Sequence, residues 1–366
     1  MIGHKRIPSR SGGVEVVVEE LSRRLAQDGQ QVTVYNRAKK GISSPRFYRG
    51  VRLVDVLAPD TKSLNAVVSS HAATIQALLD RADVIHYHAL GPAAALWIAK
   101  LFRNPVVVTV HGLNYKTPKW RGLGASYIRL GEHLAARLAD EIIVLSKEQQ
   151  RYFEEKYGRR TQYIPNGVTM PEVSPPVGEN QGDSAQNGPY VLTVTRLVPG
   201  KGLEILIQAF RRISGDIRLV IAGDSEHSEE FKRELYQLAA GDPRIEFVGQ
   251  VEDRVELAGL YRGARLFVLA SEAEGMPMAL LEAMWYECPC LVSSIPEALE
   301  VLDGSGWSFK VGDTQDLERM LREILDGRPG RPDTRKLVEA RHNWTPIVAR
   351  TTEVYLSTLD PQANVA

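Results

Sequence analysis

Residues 265–285 place an apolar strand, a glycine loop and a helix in immediate succession. The run RLFVLA is apolar enough for a strand that is covered on both faces, as in a parallel sheet. Gly275 lies in the loop that follows, and Pro277 suits the first position of the helix that contains MALLEAM. In a doubly wound sheet, ligands bind where such loops leave the carboxyl ends of strands. This stretch therefore predicts an α/β fold with a ligand site beside it.

Two glutamates occupy this predicted unit, Glu274 in the loop and Glu282 on the helix. A loop carboxylate beside a helix N-terminus is stabilised by free backbone N–H groups and by the helix dipole. A second carboxylate two turns further on can reach the same crevice. Such a pair can bind the hydroxyls of a sugar without any metal ion. The alternative is that both are solvated helix glutamates.

The segment EGMPMALLEAM, followed by CPCLVSS and IPEALEV, resembles the signature of the family 4 retaining glycosyltransferases, which have the GT-B fold. The resemblance extends from the first residues to about residue 356. It implies that Glu282 holds the ribose of the nucleotide and that Glu274 faces the donor sugar. It also implies that Gly275, Met276 and Pro277 line the donor site. Met276 and Pro277 replace the commoner Phe-Gly of the family, which leaves the identity of the donor open.

Alternating strand and helix patterns in both halves predict two doubly wound, Rossmann-like domains with parallel sheets. The GT-B resemblance implies that these domains face each other across a cleft. We expect an N-terminal acceptor-side domain over 1–170 and a linker over 171–188, which is rich in Pro, Gly, Asn and Ser. A nucleotide-sugar-binding domain over 189–343 follows, and a helix within 344–366 resembles the family segment that crosses back to the first domain. Residues 1–4 are interpreted as the end of a strand that begins before residue 1.

Gly12 and Gly13 precede a predicted helix over 14–27. A glycine pair there lets backbone N–H groups approach a pyrophosphate, with the helix dipole behind them. The alternative is ordinary turn chemistry, which is the usual reason for glycines in a loop, but in the family these glycines border the donor phosphates.

His111 ends the apolar run PVVVTV, a predicted central parallel strand. At the carboxyl end of such a strand, a histidine is expected to point into the crevice rather than the core. The alternative is a satisfied structural histidine. His88, at the end of the preceding predicted strand, is a weaker lining candidate.

Arg196 and Lys201 lie between a predicted strand over 190–195 and the next helix. A guanidinium fork and an ammonium group suit a diphosphate, and the helix N-terminus also favours an anion. The alternative is two ordinary surface cations, but the resemblance implies a role in binding the leaving group. The resemblance further implies that Val248, near the end of a short strand, lies close to the nucleotide base.

The chain has 366 residues, 43% of them hydrophobic and 25% charged, which suits two globular domains. Cys288 and Cys290 are its two cysteines, and we expect small buried residues rather than a metal or redox pair. No apolar run reaches 18 residues and no signal peptide is recognised, so we expect a cytoplasmic protein.

Charge is divided unevenly, because residues 1–170 hold 25 Lys and Arg against 14 Asp and Glu. An anionic partner of the first domain is therefore expected. No nucleic-acid-binding module accompanies this charge. The segment 114–129 mixes Lys and Arg with aromatic residues, which favours peripheral contact with an anionic membrane at its inner face, or an acceptor loop. A plain solvated loop is the alternative.

These observations predict a retaining, metal-independent glycosyltransferase that needs no cofactor. It would transfer a hexose-type sugar from a nucleotide diphosphate sugar, with a UDP-sugar as the expected donor, to a glycan or lipid-linked acceptor. Arg196, Lys201, Glu274 and His111 are the predicted catalytic residues. Two alternatives remain open: a nucleotide-sugar-binding protein without turnover, and an inverting transferase or epimerase on the same scaffold. A dinucleotide-dependent dehydrogenase is disfavoured, because no complete G-x-G-x-x-G motif follows the first strand.

Overall fold

The computed structural model describes residues 1–9, 12–38, 41, 43–59, 64–113, 122–169, 188–224 and 228–360. These residues form two compact units. The first unit contains the described residues up to 167 and those from 342 onward, and the second contains those from 168 to 341. All but the last residue of the predicted linker lies outside the described residues.

The first unit is built around parallel strands with helices between them. Its elements up to residue 167 are α1 (Gly13–Gln27), β1 (Thr33–Arg37), β2 (Phe47–Tyr48), β3 (Val51–Val56), α2 (Leu64–Leu79), β4 (Ile85–His88), α3 (Leu90–Ala93), α4 (Leu96–Leu101), β5 (Val106–Val110), α5 (Leu123–Leu138), β6 (Glu141–Val144), α6 (Lys147–Tyr157) and β7 (Gln162–Tyr163). The strands form a three-stranded sheet in the order β1-β3-β2 and a four-stranded parallel sheet in the order β4-β5-β6-β7. Every residue of β5 is buried, as its run of β-branched side chains predicts.

Residues 1 and 2 connect these two sheets. The Ile2 N–H donates to the His86 carbonyl at 2.9 Å, and the Tyr35 N–H donates to the Met1 carbonyl at 3.1 Å. The predicted strand over residues 1–4 is thus a single bridge, between Ile2 and Tyr87. Its backbone nevertheless lies between β1 and β4, where a first strand would lie.

The second unit has one six-stranded parallel sheet. Its elements are β8 (Tyr190–Val194), α7 (Leu203–Phe210), β9 (Arg218–Ala222), α8 (Glu229–Ala239), β10 (Ile245–Gly249), α9 (Arg254–Gly263), β11 (Leu266–Leu269), α10 (Met278–Trp285), β12 (Cys290–Ser293), α11 (Pro296–Leu302), β13 (Trp307–Phe309), α12 (Thr314–Asp326) and α13 (Arg335–Arg341). The strand order is β10-β9-β8-β11-β12-β13. The chain therefore winds outward from β8 in one direction and restarts at β11 in the other. The reversal between β8 and β11 is where a doubly wound sheet opens a crevice for ligands.

The last helix, α14 (Trp344–Leu359), belongs to the first unit. Its Trp344 ring packs on Gly167, where an added Cβ would come within 2.4 Å of the ring. Arg24 of α1 lies over the same ring, 5.2 Å from its centroid. Further along, the Tyr355 hydroxyl lies 2.7 Å from His86 Nδ1. Helix α14 is thus held to the first unit at both ends.

Two element boundaries differ from the sequence predictions. Helix α1 begins at Gly13 rather than residue 14, because the Val16 N–H already bonds to the Gly12 carbonyl at 3.2 Å. Pro277 has an extended backbone, with ψ of 96°, and caps α10 instead of opening it. Helices α3 and α4 are separate helices, because the N–H groups of residues 94 and 95 bond three residues back rather than four.

Candidate active site

The loops that follow β8 and β11 lie directly against each other. Gly202, at the end of the first loop, has φ of +65°, and an added Cβ would come within 2.0 Å of the Ala270 carbonyl oxygen. The Glu272 N–H donates to the Gly200 carbonyl at 3.0 Å. Glycine at 202 permits both the left-handed backbone and the close approach. The side chains of the two loops are brought together as a result.

Lys201 and Glu274 meet at this contact and form a salt bridge through Lys201 Nζ and Glu274 Oε1. Their side chains are only 17% and 14% exposed. Ser271 Oγ donates to the same carboxylate oxygen at 2.7 Å, and the Ser271 carbonyl accepts a hydrogen bond from Ser293 Oγ. Two donors therefore hold the Glu274 carboxylate in one orientation.

Arg196 lies at the start of the same strand-to-helix loop and is exposed. Within the described residues, its guanidinium has no hydrogen bond or ion pair. Its donors thus remain available for a bidentate contact with an oxyanion. The structure brings Lys201 and Glu274 together as direct partners and places Arg196 in the loop that carries Lys201.

Glu282 lies on α10, in the second turn of the helix. Its Oε2 accepts a hydrogen bond from the Tyr261 hydroxyl at 3.0 Å. Burial and the neighbouring Glu282 charge raise the pKa of Tyr261 well above its ordinary value, so this hydroxyl stays a donor. One oxygen of Glu282 is oriented by this bond, which is the arrangement needed to present a carboxylate to ligand hydroxyls.

The sequence analysis did not predict three residues that hold Glu274 and Glu282 in place: Ser271, Ser293 and Tyr261. Ser293 is the last residue of β12 and Ser271 lies two residues after the end of β11, so their positions relative to the strands were a usable signal. Tyr261 is fully buried on α9, and nothing local in the sequence connects it with Glu282.

The other predicted donor-binding residues of the second unit lie next to Glu274 in the chain or on the edge strand β10. Gly275 is half-buried, Met276 is 8% exposed, and Pro277 is buried as the residue before α10. Val248, on β10, is 41% exposed, which leaves an apolar side chain accessible at the opposite end of the sheet from β13.

Gly12 and Gly13 lie at the N-terminus of α1, and an acidic side chain lies with them. A Cβ added to Gly12 would come within 2.5 Å of Glu15 Oε2, and Glu15 Oε1 accepts the Lys5 N–H at 2.9 Å. Glu15 is 8% exposed. Glu15 thus lies against the backbone at the start of α1. A carboxylate of the chain itself already offsets part of the positive potential at this helix end.

His111 follows β5 and is half-buried. Its Nε2 lies 3.0 Å from Nδ1 of His88, which has no exposed surface. Burial lowers the pKa of His111 to about 4, against a smaller opposing effect of Glu15. His111 is therefore neutral near pH 7 and can donate or accept a hydrogen bond, while His88 lies behind it as a partner.

The described residues contain no group of three or more His, Cys, Asp or Glu side chains that could hold a metal ion. Cys288 and Cys290 are free and buried, at and just before the start of β12, as predicted. Burial raises the pKa of Cys288 to about 12 and that of Cys290 well above its ordinary value. Neither cysteine is a thiolate near neutral pH.

Among the described helices, none combines the length and apolar character needed to cross a membrane. The cationic and aromatic residues predicted to contact an acceptor or membrane, Lys116, Lys119, Trp120 and Arg121, lie outside the described residues. Arg129 is exposed on α5.

Two protein families match adjacent parts of the chain. The family described as glycosyltransferase family 4 matches residues 11–170, and the family described as glycosyl transferases group 1 matches residues 179–347. Each match covers one of the two predicted domains.

Several characterised proteins are similar to the chain. A D-inositol 3-phosphate glycosyltransferase of Xylanimonas cellulosilytica is 25% identical over 318 residues, which cover 78% of this chain and 76% of the relative. The UDP-Gal:alpha-D-GlcNAc-diphosphoundecaprenol alpha-1,3-galactosyltransferase of Escherichia coli is 30% identical over 272 residues, 68% of either chain. Among solved structures, the sucrose-phosphate synthase of Thermosynechococcus elongatus matches with a TM-score of 0.83 at 21% identity, over 99% of this chain and 96% of that one. The structural likeness shows a shared fold.

Proposed function

The chain belongs to glycosyltransferase family 4 and has the GT-B fold, and on that premise we propose that it transfers a hexose from a nucleotide diphosphate sugar with retention of anomeric configuration. The contact between Lys201 and Glu274 at the reversal of the strand order carries this proposal. It combines a cation suited to a diphosphate with a carboxylate suited to sugar hydroxyls.

Leaving-group stabilisation is the role proposed for the two cations. When the bond between sugar and phosphate breaks, negative charge develops on the diphosphate. Lys201 is held by Glu274 before that charge appears and needs little reorganisation, and Arg196 lies on the same short loop with its donors available. The salt bridge with Glu274 limits the conformational freedom of the Lys201 ammonium group. Because these cations would perform the role of a divalent metal, we propose that turnover needs no added metal ion.

Glu274 is proposed to bind hydroxyls of the transferred sugar, with its orientation set by Lys201 and Ser271. A carboxylate held by two donors is a poor nucleophile, because both lower its basicity. We therefore propose that the acceptor hydroxyl attacks from the face that the leaving group departs from. Retention is tested by measuring the anomeric configuration of the product by NMR without chromatographic delay. An inverted product would refute the retaining assignment.

Nucleotide binding is assigned to Glu282 and Val248. Glu282 presents a carboxylate that Tyr261 orients, which suits a ribose diol, and Val248 offers exposed apolar surface for a base. We propose a UDP-sugar as donor, which the UDP-Gal named for the relative of Escherichia coli supports.

A thermal-shift panel of UDP-, GDP-, ADP- and dTDP-sugars tests the donor. A ligand at about 100 times its Kd stabilises the folded state by about 2.7 kcal/mol. The UDP-sugars are expected to raise the melting temperature most. A larger shift with GDP-mannose would refute the UDP assignment and leave the transferase assignment intact.

A lipid-linked acceptor at an anionic membrane is also proposed, and exposed side chains of α4 and α5 support it. Helix α4 precedes β5 and follows β4, and α5 lies between β5 and β6, so the two connections cross the sheet in the same direction. Right-handed crossovers then place both helices on one face of the sheet. Exposed apolar residues of α4, α5 and the turn after α4 include Trp97, Leu101, Phe102, Leu130 and Leu138, and Arg103, Arg129 and Arg137 are exposed in the same segments. Aromatic and aliphatic side chains among cations suit the headgroup layer of an anionic membrane.

Co-sedimentation with phosphatidylglycerol-containing vesicles tests this surface. Leu101, 71% exposed, and Phe102 are changed to Ser together, and Leu356→Ser on α14 is the control because Leu356 is 60% exposed. We expect the double variant to pellet less at low salt, and the control to pellet like the unaltered protein. Failure of the unaltered protein to pellet would refute the membrane proposal and favour a soluble acceptor.

A further inference from the structure

Three histidine rings form a stack that ends at His111. The centroids of His86 and His88 are 4.1 Å apart, and those of His88 and His111 are 5.3 Å apart. His88 is the central ring, and its Nδ1 lies 3.0 Å from His111 Nε2. His86 is held in turn by Thr109 Oγ1 and by the Tyr355 hydroxyl of α14, each at 2.7 Å.

The bond between His88 and His111 needs one N–H and one lone pair. Burial lowers the pKa of both rings, so each carries a single proton near pH 7. If His111 donated through Nε2, the proton of His88 would lie on its own Nε2. That atom is buried and has no hydrogen-bond partner within the part of the chain that the structure describes.

If His88 donates through Nδ1 instead, its Nε2 is left as a bare acceptor. Buried N–H groups without an acceptor are rarer in proteins than acceptors with unused lone pairs. The second arrangement is therefore favoured, and it assigns the proton of His111 to Nδ1.

We infer that His88 is a positioning residue that holds His111 as its Nδ1–H tautomer, so that His111 presents a hydrogen-bond donor to the bound ligand. Nε2 of His111 is engaged by His88, which removes it as a proton acceptor for the attacking hydroxyl. Within the described residues, Nδ1 of His111 has no hydrogen-bond partner and is not among the buried unpaired atoms. The natural partner for this N–H is an oxygen of the sugar or of the acceptor, an identification that rests on the proposed function.

The tautomer is measured directly by two-bond proton–nitrogen correlation NMR on uniformly nitrogen-15-labelled protein. The spectrum distinguishes protonated from unprotonated ring nitrogens, and comparison with His111→Gln assigns the His111 signals. We expect Nδ1 of His111 to be the protonated nitrogen, although a free neutral imidazole side chain favours Nε2–H. A protonated Nε2 in the unaltered protein would overturn the inference.

Two substitutions at His88 separate positioning from packing. His88→Asn retains an amide N–H close to the place of Nδ1, whereas His88→Leu fills similar space without a donor. We expect the Nδ1–H form of His111 in His88→Asn and the Nε2–H form in His88→Leu. Retention of the Nδ1–H form in a folded His88→Leu would also overturn the inference.

Kinetics extend the test to turnover. Loss of one oriented hydrogen bond in the transition state is expected to lower kcat by about 10- to 100-fold in His88→Leu, with a smaller change in KM and partial rescue in His88→Asn. The control is His133→Gln, because His133 is an exposed histidine on α5. If the unaltered protein turns over no donor while NMR shows Nδ1–H, the proposed function fails and the tautomer assignment stands. Equal kcat in His88→Leu and the unaltered protein would overturn the positioning role.

Discussion

Acid is expected to destabilise the first unit steeply, because buried histidines there resist protonation. Burial lowers the pKa of His4 and His111 from the ordinary 6.5 to about 4, and it lowers those of His86 and His88 well below 6.5. The unfolded chain takes up these protons as the pH falls through 6.5, while the folded unit does not. The stabilisation is therefore complete above pH 6.5 and is lost as the pH falls toward 4.

The size of this effect follows from the pKa values of His4 and His111. The lowering of the pKa from 6.5 to about 4 corresponds to a contribution of about 3 kcal/mol to the free energy of unfolding for each of His4 and His111. Near pH 5, each contributes a slope of about 1.2 kcal/mol per pH unit to the free energy of unfolding. The two together reach about 6 kcal/mol, comparable to the whole stability of many domains. His86 and His88 act in the same direction.

His4→Gln tests the reasoning, since His4 Nε2 lies 2.9 Å from Asn36 Oδ1 and a glutamine amide can make the same bond without titrating. Urea unfolding is followed between about pH 7 and pH 5, with peptide-resolved hydrogen exchange to assign each transition to a unit. The slope for the first unit should fall by about 1 kcal/mol per pH unit in this variant. The sequence range of the second unit, 168–341, contains one histidine, His227, so this unit serves as the internal reference. Equal slopes for the variant and the unaltered protein would refute the reasoning.

Further outcomes concern the second unit. Lys201→Ala and Arg196→Ala should each lower turnover by about 10²-fold through loss of leaving-group stabilisation, and unaltered rates would contradict that role. Glu282→Gln should weaken the binding of free nucleotide diphosphate in calorimetry more than it lowers kcat; unchanged affinity would remove its ribose assignment. Activity should persist in EDTA, and a loss that Mg²⁺ restores would show a metal requirement. Gly202→Ala should lower the free energy of unfolding, measured in urea, by at least about 2 kcal/mol more than Gly241→Ala does. Both glycines have positive φ, but an added Cβ would clash with a backbone carbonyl at position 202 only.

Much of the fold was determined by the sequence alone, because its signals are local. The apolar runs at 105–110 and 265–270 predicted buried parallel strands, and β5 and β11 lie there. Strand-to-helix alternation in both halves predicted two Rossmann-like domains with parallel sheets, and the strand pairs of both units are parallel except for the antiparallel pair of β2 and β3. Candidate site residues were predicted by the same logic, since a residue just after a parallel strand lies at the sheet's carboxyl edge wherever that strand is placed.

Only the tertiary structure decided which of these residues touch. Lys201 and Glu274 are 73 positions apart, and they meet because β11 returns beside β8 and Gly202 lets the two loops approach. His86 reaches Tyr355 across 269 positions, and Tyr261 orients Glu282 from a different helix. Periodicity along the chain reports which face of an element is buried, but it carries no information about which strands become neighbours. Strand order and close packing settle that, and they alone place one side chain against another over such separations.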